Sequence, residues 1–499
     1  MKYVIGVDLG TSAVKILLVN QNGEVCQEVS KSYPLIIEKS GYSEQDPEEW
    51  VDKTRAGLTE LINQFDGDVK DIEGISFSGQ MHGLVLLDKE NQVVRNAILW
   101  NDTRTTKQCQ EIYEAVGTER LLEVTKNPAL EGFTLPKILW VKENEPENFE
   151  RSSVFLLPKD YLRFRMTGAL HMEYSDAAGT LLLNVAERSW SNEVLDKFNL
   201  SGEFCPPLVE SHALVGTVTA EYAQQTGLAD TTKVFAGGAD NACGAIGSGI
   251  LSEGKTLCSI GTSGVVLSYE ERNDLDFEGK VHYFNHGEEN AYYTMGVTLA
   301  AGYSLSWFKD TFAKNEAFEQ FLDGIDEVPA GSNGLLFTPY IVGERTPHAD
   351  STIRGSFIGA DAAHERKHFV RAVLEGITFS LNESIEIFRN SGKNIDSIIS
   401  IGGGAKNDTW LQMQADIFNA KIEKLTSEQG PGMGAAMLAA YGCGWYSSLK
   451  ECAEEFIQPL KTYQPIPENV EVYQKLFKVY QQVYTQTKGM NEQLREFRK

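Results

Sequence analysis

The 499-residue chain is too long for one core, and 42% apolar with 23% charged residues are globular proportions, so two or more domains are expected. Its 45 Lys and Arg against 70 Asp and Glu leave a net charge of −25, a surface that repels phosphate backbones, and no basic cluster offsets it; nucleic acid is excluded as an expected partner. The seven cysteines are scattered and never spaced CxxC, no stretch approaches the ~18 uninterrupted apolar residues of a membrane span, and no charged leader precedes the first strand, so a reduced cytoplasmic protein is expected.

Residues Met1 to Val19 read as two strands joined by a tight turn of small residues, Gly10, Thr11 and Ser12. Gly10 lets the backbone fold back, the amides and hydroxyls of Thr11 and Ser12 can then donate to a phosphate, and Asp8 stands where a magnesium ion on that phosphate needs an oxygen ligand. An ordinary hairpin with an acid near its tip is the alternative. Residues Lys255 to Tyr269 repeat the plan around Gly261, Thr262, Ser263 and Gly264, with Ser259 at the position of Asp8. Two related halves are therefore expected, each offering a phosphate loop to a shared nucleotide cleft.

After Asn22-Gly23, a third strand over Val25 to Tyr33 completes a meander, and Pro47 to Phe65 has helical spacing with Asp46 as its N-cap. A strand over Asp71 to Ser78 runs into Gly79, Gln80, Met81, His82 and Gly83, which can reach into a cleft, or leave His82 as an ordinary satisfied histidine of a turn. Trp100 to Arg104, with Asp102, mixes polar groups with an aromatic wall, as a sugar requires. Gly132 to Asn144 predicts a helix with Trp140 in the core; Tyr161 to Thr167 is amphipathic and closed by Gly168; Ser175 to Thr180 reads by default as a connector.

The strand Val234 to Ala236 opens into GGADNACGAIGSG, Gly237 to Gly249, with Asp240 and Asn241 at the strand end and a small-residue helix behind them. Asp240 is placed to act as a base, to cap the helix, or both. A hinge is expected between Gly247 and Lys255, dividing the chain into 1–247 and 248–499. The second half predicts helices over Ala300 to Phe312 and Phe369 to Phe388, and strands over Gly334 to Phe337 and Ile398 to Ile401. Gly402, Gly403 and Gly404 follow, leaving backbone open to a base or ribose, with Asn407 beyond. Gly430 to Ala440 is expected to pack on that loop; Leu476, Phe477, Tyr480 and Tyr484 form a core stripe or a subunit face.

Together these residues resemble the FGGY family of carbohydrate kinases. Gly132 to Asn144 fits its first signature and Gly355 to Glu375 its second, with Ala360 where a larger aliphatic is usual. SGQMHG at Ser78, LWNDTR at Leu99, LPKDYLR at Leu157, SDAAGT at Ser175 and GERTPH at Gly343 are similar to the family's D-xylulose branch, and Met81 and His82 stand where the glycerol branch has arginine and glutamate. The resemblance implies an α/β fold of two ribonuclease H-like domains, of the actin, hexokinase and Hsp70 type, flanking an ATP cleft. It implies Asp240 as base on a ketopentose primary hydroxyl and Asp8 on hydrated Mg²⁺. Gly10, Thr11, Ser12, Lys15, Gly261, Thr262, Ser263, Gly403, Gly404 and Asn407 are expected at ATP, and Gln80, Met81, His82, Trp100, Asp102 and Asn241 at the sugar. A homodimer is also implied. Ribulose, gluconate or another ketose is the alternative acceptor, and a non-catalytic actin-like nucleotide switch the alternative class.

Overall fold

The computed structural model describes residues 1–498. In the first half, β1 (Tyr3–Leu9), β2 (Ala13–Asn20) and β3 (Val25–Ser32) form the expected antiparallel meander, followed by α1 (Pro47–Asn63), capped by Asp46. Then come β4 (Ile72–Gly79), α2 (Thr134–Asn144), α3 (Pro158–Thr167), β5 (Leu214–Thr217), β6 (Lys233–Phe235), β7 (Gly238–Ala239) and α4 (Asp240–Gly247). The sheet order is β5-β6-β4-β1-β2-β3; β4 is parallel to β1, β6 and β7.

The second half repeats this core. It comprises β8 (Lys255–Ile260), β9 (Gly264–Glu270), β10 (His282–Asn285), β11 (Tyr292–Thr298), α5 (Gly302–Phe312), α6 (Arg366–Asn390), β12 (Ser397–Gly402), α7 (Asp408–Phe418), β13 (Lys421–Leu425), α8 (Gly430–Gly442), β14 (Pro459–Tyr463) and α9 (Pro467–Leu494). Its sheet runs β10-β11-β9-β8-β12-β13-β14, with β8, β12 and β13 parallel. In each half an antiparallel meander leads, through its first strand, into two parallel strands. That is the ribonuclease H-like plan, and the central strands β1 and β8 both end at a glycine turn facing the space between the sheets.

Three expectations about packing are corrected. The helix α8 does not rest on the Gly402 to Gly404 loop; it lies against α4 and against β1 and β4 of the first sheet. Glycines make that crossing possible: a β-carbon on Gly434 would strike the Cys243 carbonyl oxygen, one on Gly247 that of Gly430, and one on Gly6 that of Gly432. A helix late in the chain thus carries the base of the cleft on the early half. Trp140 is half-buried rather than in the core, because the Arg104 guanidinium lies over its ring at 4.7 Å. Ser175 to Thr180 is no surface connector: all six residues are buried, in a helical turn, Tyr174–Ala177, whose Tyr174 alone is half-buried, and a tighter turn to Thr180.

The last-helix stripe resolves in favour of core. Phe477 and Tyr480 are buried against Phe379 of α6, at 5.8 and 5.4 Å between ring centroids. Leu476 and Tyr484 flank them half-exposed.

Candidate active site

The first glycine turn is built as its residues require. Gly10 N–H closes it onto Ala13 O at 3.0 Å, and the Tyr33 hydroxyl donates to Gly10 O. Trp100 Nε1 donates to Thr11 Oγ1 at 2.9 Å, which leaves the threonine O–H free to donate elsewhere, and half-exposed Trp100 stands at the cleft mouth. Asp8 pairs across β1 and β2 with Lys15; burial pushes its carboxyl above the ordinary range, while the Ser78 hydroxyl and the Lys15 charge pull it back. Lys15 Nζ itself donates to Gln429 Oε1 at 2.5 Å and lies 3.4 Å from Glu28.

The second turn matches it. Gly261 N–H reaches Ser263 O at 2.9 Å, and the first amides of α5, Gly302 and Tyr303, donate to Gly261 O and Thr262 O. Asp8 and Ser259, equivalent in the two halves, line one cavity of about 300 Å³ together with Lys15, Gly402 and the start of α8. A larger cavity of about 810 Å³ is walled by Gly261, Thr262, Gly403, Gly404 and Asn407, with Tyr303, Phe318 and Trp410 adding flat apolar surface. It has the size and mixed lining of a nucleotide pocket. Only part of the glycine run is free for a ligand: Gly403 is exposed, whereas a β-carbon on Gly402 would lie 2.7 Å from Ile260 O and one on Gly404 2.6 Å from the Ile260 side chain. Asn407 lines the cavity while its oxygen caps α7 through Trp410 N–H at 2.9 Å.

Asp240 opens α4 as its first helical residue, after Ala239 at the N-cap position, and its Oδ1 accepts from the next amide of the helix, Asn241 N–H. Burial, and then the negative charge of Asp8, push its pKa to about 7; the adjacent Asn241 N–H, donating at 2.7 Å, moderates the rise. Asn241 Nδ2 donates both to Asp240 Oδ1 at 3.1 Å and to Met81 Sδ at 3.5 Å, so carboxylate, amide and thioether form one patch. His82 adopts a left-handed φ of 67° and donates from Nδ1 to Gly179 O at 2.7 Å. Burial and the Lys137 charge lower its pKa to about 3, which keeps the ring neutral and Nε2 an acceptor.

Gln80 is buried, with Nε2 at 3.3 Å from Gln45 Oε1 and no partner for its own Oε1. Asp102 is the one expected sugar contact that the geometry withdraws. Its side chain is fully enclosed and accepts from Ser43 N–H at 2.6 Å and from the Arg104 guanidinium at 2.7 to 3.0 Å, so it shapes the LWNDTR loop instead.

Several residues here escape sequence reasoning. Tyr293 of β11 donates to Met81 Sδ at 3.9 Å, and Phe284 of β10 lies 6.1 Å from the His82 ring, so the second half walls the Met81 and His82 loop of the first. Nothing in β11, buried at every position but Val297, singles Tyr293 out. Lys137 did leave a signal, a lysine among the apolar residues of α2. Fully buried, it donates to His82 O at 2.9 Å and Gly132 O at 2.6 Å, and burial brings its pKa to about 7.

Paired glycine turns on two ribonuclease H-like sheets, with a buried carboxylate of raised pKa between them, are the arrangement of a kinase of the hexokinase type. The chain belongs to the FGGY family of carbohydrate kinases: the family's N-terminal domain matches residues 3–247 and its C-terminal domain residues 256–443. It is therefore a carbohydrate kinase that uses ATP. It is 66% identical over 499 residues to the xylulose kinase of Bacillus subtilis (strain 168), covering 100% of both chains. Its structure is similar to that of the ligand-bound xylulose kinase from Lactobacillus acidophilus, with a TM-score of 0.93 and 30% identity over 99% of this chain and 100% of that one. The gluconate kinase from the same organism gives a TM-score of 0.92 and 31% identity, over 97% and 98%.

Proposed function

We propose that the chain transfers the γ-phosphoryl group of ATP to the 5-hydroxyl of D-xylulose, giving D-xylulose 5-phosphate. The observation that carries the chemistry is Asp240, a carboxylate with a pKa of about 7 beside Asn241 and Met81 and within the field of Asp8. A base is most effective when its pKa lies near the working pH. Full-length identity of 66% to a xylulose kinase supports the acceptor.

In this reading Asp240 accepts the hydroxyl proton as the oxygen attacks, while Asn241, His82 Nε2 and the Gln80 amide orient the ketose and Met81 and Trp100 pack on its carbons. Thr11, Ser12, Thr262 and Ser263 donate to phosphates, Lys15 adds charge from the side of Gln429, and Gly10, Gly261, Gly403, Gly404 and Asn407 border the nucleotide. Among the described residues no three His, Cys, Asp or Glu cluster as a metal cage. Mg²⁺ suits the site all the same, since it is commonly held by one or two carboxylates, phosphates and waters. Asp8 would hold it, and when bound it neutralises phosphate charge and fixes the line of transfer.

We further propose units of 1–247 and 248–499 that close to exclude water. A cytoplasmic setting is supported by seven unpaired cysteines. A homodimer is supported by the exposed Val479, Met490 and Leu494 of α9. No helix among the described residues is long and apolar enough to cross a membrane.

The test is ADP release with Mg-ATP and, in parallel, D-xylulose, D-ribulose, L-ribulose, gluconate and glycerol. Preference for D-xylulose, with a loss of about 10³-fold or more in kcat for Asp240→Asn and little change in ATP affinity, is expected. Preference for gluconate would retain the mechanism and replace the acceptor.

A further inference from the structure

Five charged side chains lie wholly enclosed behind the active face: Lys159, Asp160 and Arg163 of α3, and Glu173 and Asp176 of the turn that follows. Lys159 Nζ is 2.9 Å from Asp160, 3.1 Å from Glu173 and 2.7 Å from Asp176, and Arg163 is 2.9 Å from Asp160. Burying such a cluster costs more than apolar packing of the same volume would, so its retention calls for a structural return in specificity. The return is visible in what the cluster grips. Arg163 donates to Ala236 O at 2.6 Å. Glu173 Oε2 accepts from Ser211 Oγ at 3.0 Å, and the Ser211 carbonyl in turn receives Gly237 N–H at 2.9 Å. Ser175 Oγ donates to Glu173 Oε2 at 2.7 Å and accepts from Ala239 N–H at 2.9 Å. Three successive holds thus fix the backbone from Ala236 to Ala239, the residues that lead directly to Asp240.

The same unit reaches the sugar loop. A β-carbon on Gly79 would lie 2.6 Å from the Lys159 β-carbon, and Gly179, closing the turn, receives the His82 ring N–H. Base and sugar loop are therefore referenced to one rigid body. A misplacement of about 1 Å at a phosphoryl acceptor can cost on the order of 10²-fold in rate.

We propose that Ser175, backed by Glu173 and the buried Lys159 cluster, is a positioning residue for phosphoryl transfer: by holding Ala239 N–H it sets where the Asp240 carboxylate stands. This rests on the reading of Asp240 as base. Ser175 touches neither sugar nor nucleotide, so its effect should fall on kcat and spare binding.

The test compares wild type with Ser175→Ala by amide hydrogen exchange across Ala236 to Ala245, and by kinetics with Mg-ATP and D-xylulose. Expected are exchange at Ala239 about tenfold faster or more, and kcat lower by about tenfold or more with both KM values within about twofold. Ser175→Cys, which keeps the volume and a weaker acceptor, should recover part of both, and it is read alone if the alanine variant does not fold. Unchanged kcat, unchanged exchange, or a loss confined to KM overturns the inference. Wild-type protein that phosphorylates none of the sugars overturns instead the functional reading beneath it.

Discussion

Asp240 carries two opposite obligations, and both can be measured. As the proposed base it must be ionised, so kcat/KM for the sugar should fall about tenfold per pH unit below its pKa of about 7 and level off above it. His82, with a pKa of about 3, contributes no limb between pH 5 and 8, whereas Lys137, brought to about 7 by burial, titrates in the same window as Asp240, so the Lys137→Met variant is needed to isolate the Asp240 limb. For stability the sign is reversed. The folded pKa lies above the unfolded one, so folding holds the proton more tightly and ionisation costs stability, a cost that grows as pH rises from about 4 and is complete above about 7. Asp240→Asn should therefore stabilise the protein, on the order of 1–3 kcal/mol at pH 8 and less at pH 5, by urea unfolding. Equal gains at both pH values would refute this account. Lys137 makes a different prediction. Lys137→Met strips the partner from Gly132 O and leaves His82 O with the Thr134 hydroxyl alone, costing about 1–3 kcal/mol and raising KM for the sugar several-fold, because the left-handed turn at His82 is held by one donor in place of two.

At the scale of elements, the turns and strand ends were legible because their chemistry is local. A glycine with two hydroxyl residues after an alternating strand has few uses, and its recurrence around Gly261 made the pairing of halves readable. Asp240 was legible for the same reason: glycines before it and small residues after it mark a strand end in close contact. What was not legible depended on which surfaces meet. The small residues of α8 announce a close helix crossing, but only the fold shows that the partner is α4, in the other half of the chain. Asp102 fitted a sugar pocket by composition and is consumed by Arg104; Ser175 looked like a connector and is buried. The α4 and α8 crossing yields its own prediction. At Gly434 any β-carbon meets the Cys243 carbonyl, a backbone atom that cannot swing aside, so Gly434→Val must separate the helices. A loss of about 3 kcal/mol or more is expected, and kcat should fall with it because α4 carries Asp240. Calorimetry and kinetics on the soluble fraction check both; a fully active variant would mean that the crossing does not locate the base.

Across the whole molecule, the proposed sugar side of the cleft is shared between halves. Met81 and His82 come from the loop after β4, whereas Tyr293 and Phe284 come from the second sheet, and only side-chain contacts such as that of Tyr293 with Met81 join them there. At the opposite side Lys15 meets Gln429 across the phosphate region. A ligand seated among Met81, His82 and Asn241 therefore adds contacts between the two sheets as well as within one, and should couple their unfolding. Binding to the folded state alone stabilises by about 2.7 kcal/mol at a ligand concentration one hundred times Kd. In calorimetry, saturating D-xylulose should raise the unfolding temperature of both halves and draw their transitions together. Tyr293→Phe should weaken that convergence more than it weakens affinity, since it removes a bond that spans the halves and leaves the sugar's own hydrogen-bonding groups in place. If D-xylulose shifts a single transition and leaves the other where it was, the sugar is held by the first half alone and β10 and β11 are bystanders. If both move together, the second sheet contributes to acceptor binding, and closure over the sugar is the step that brings the β9 phosphate turn to Asp240.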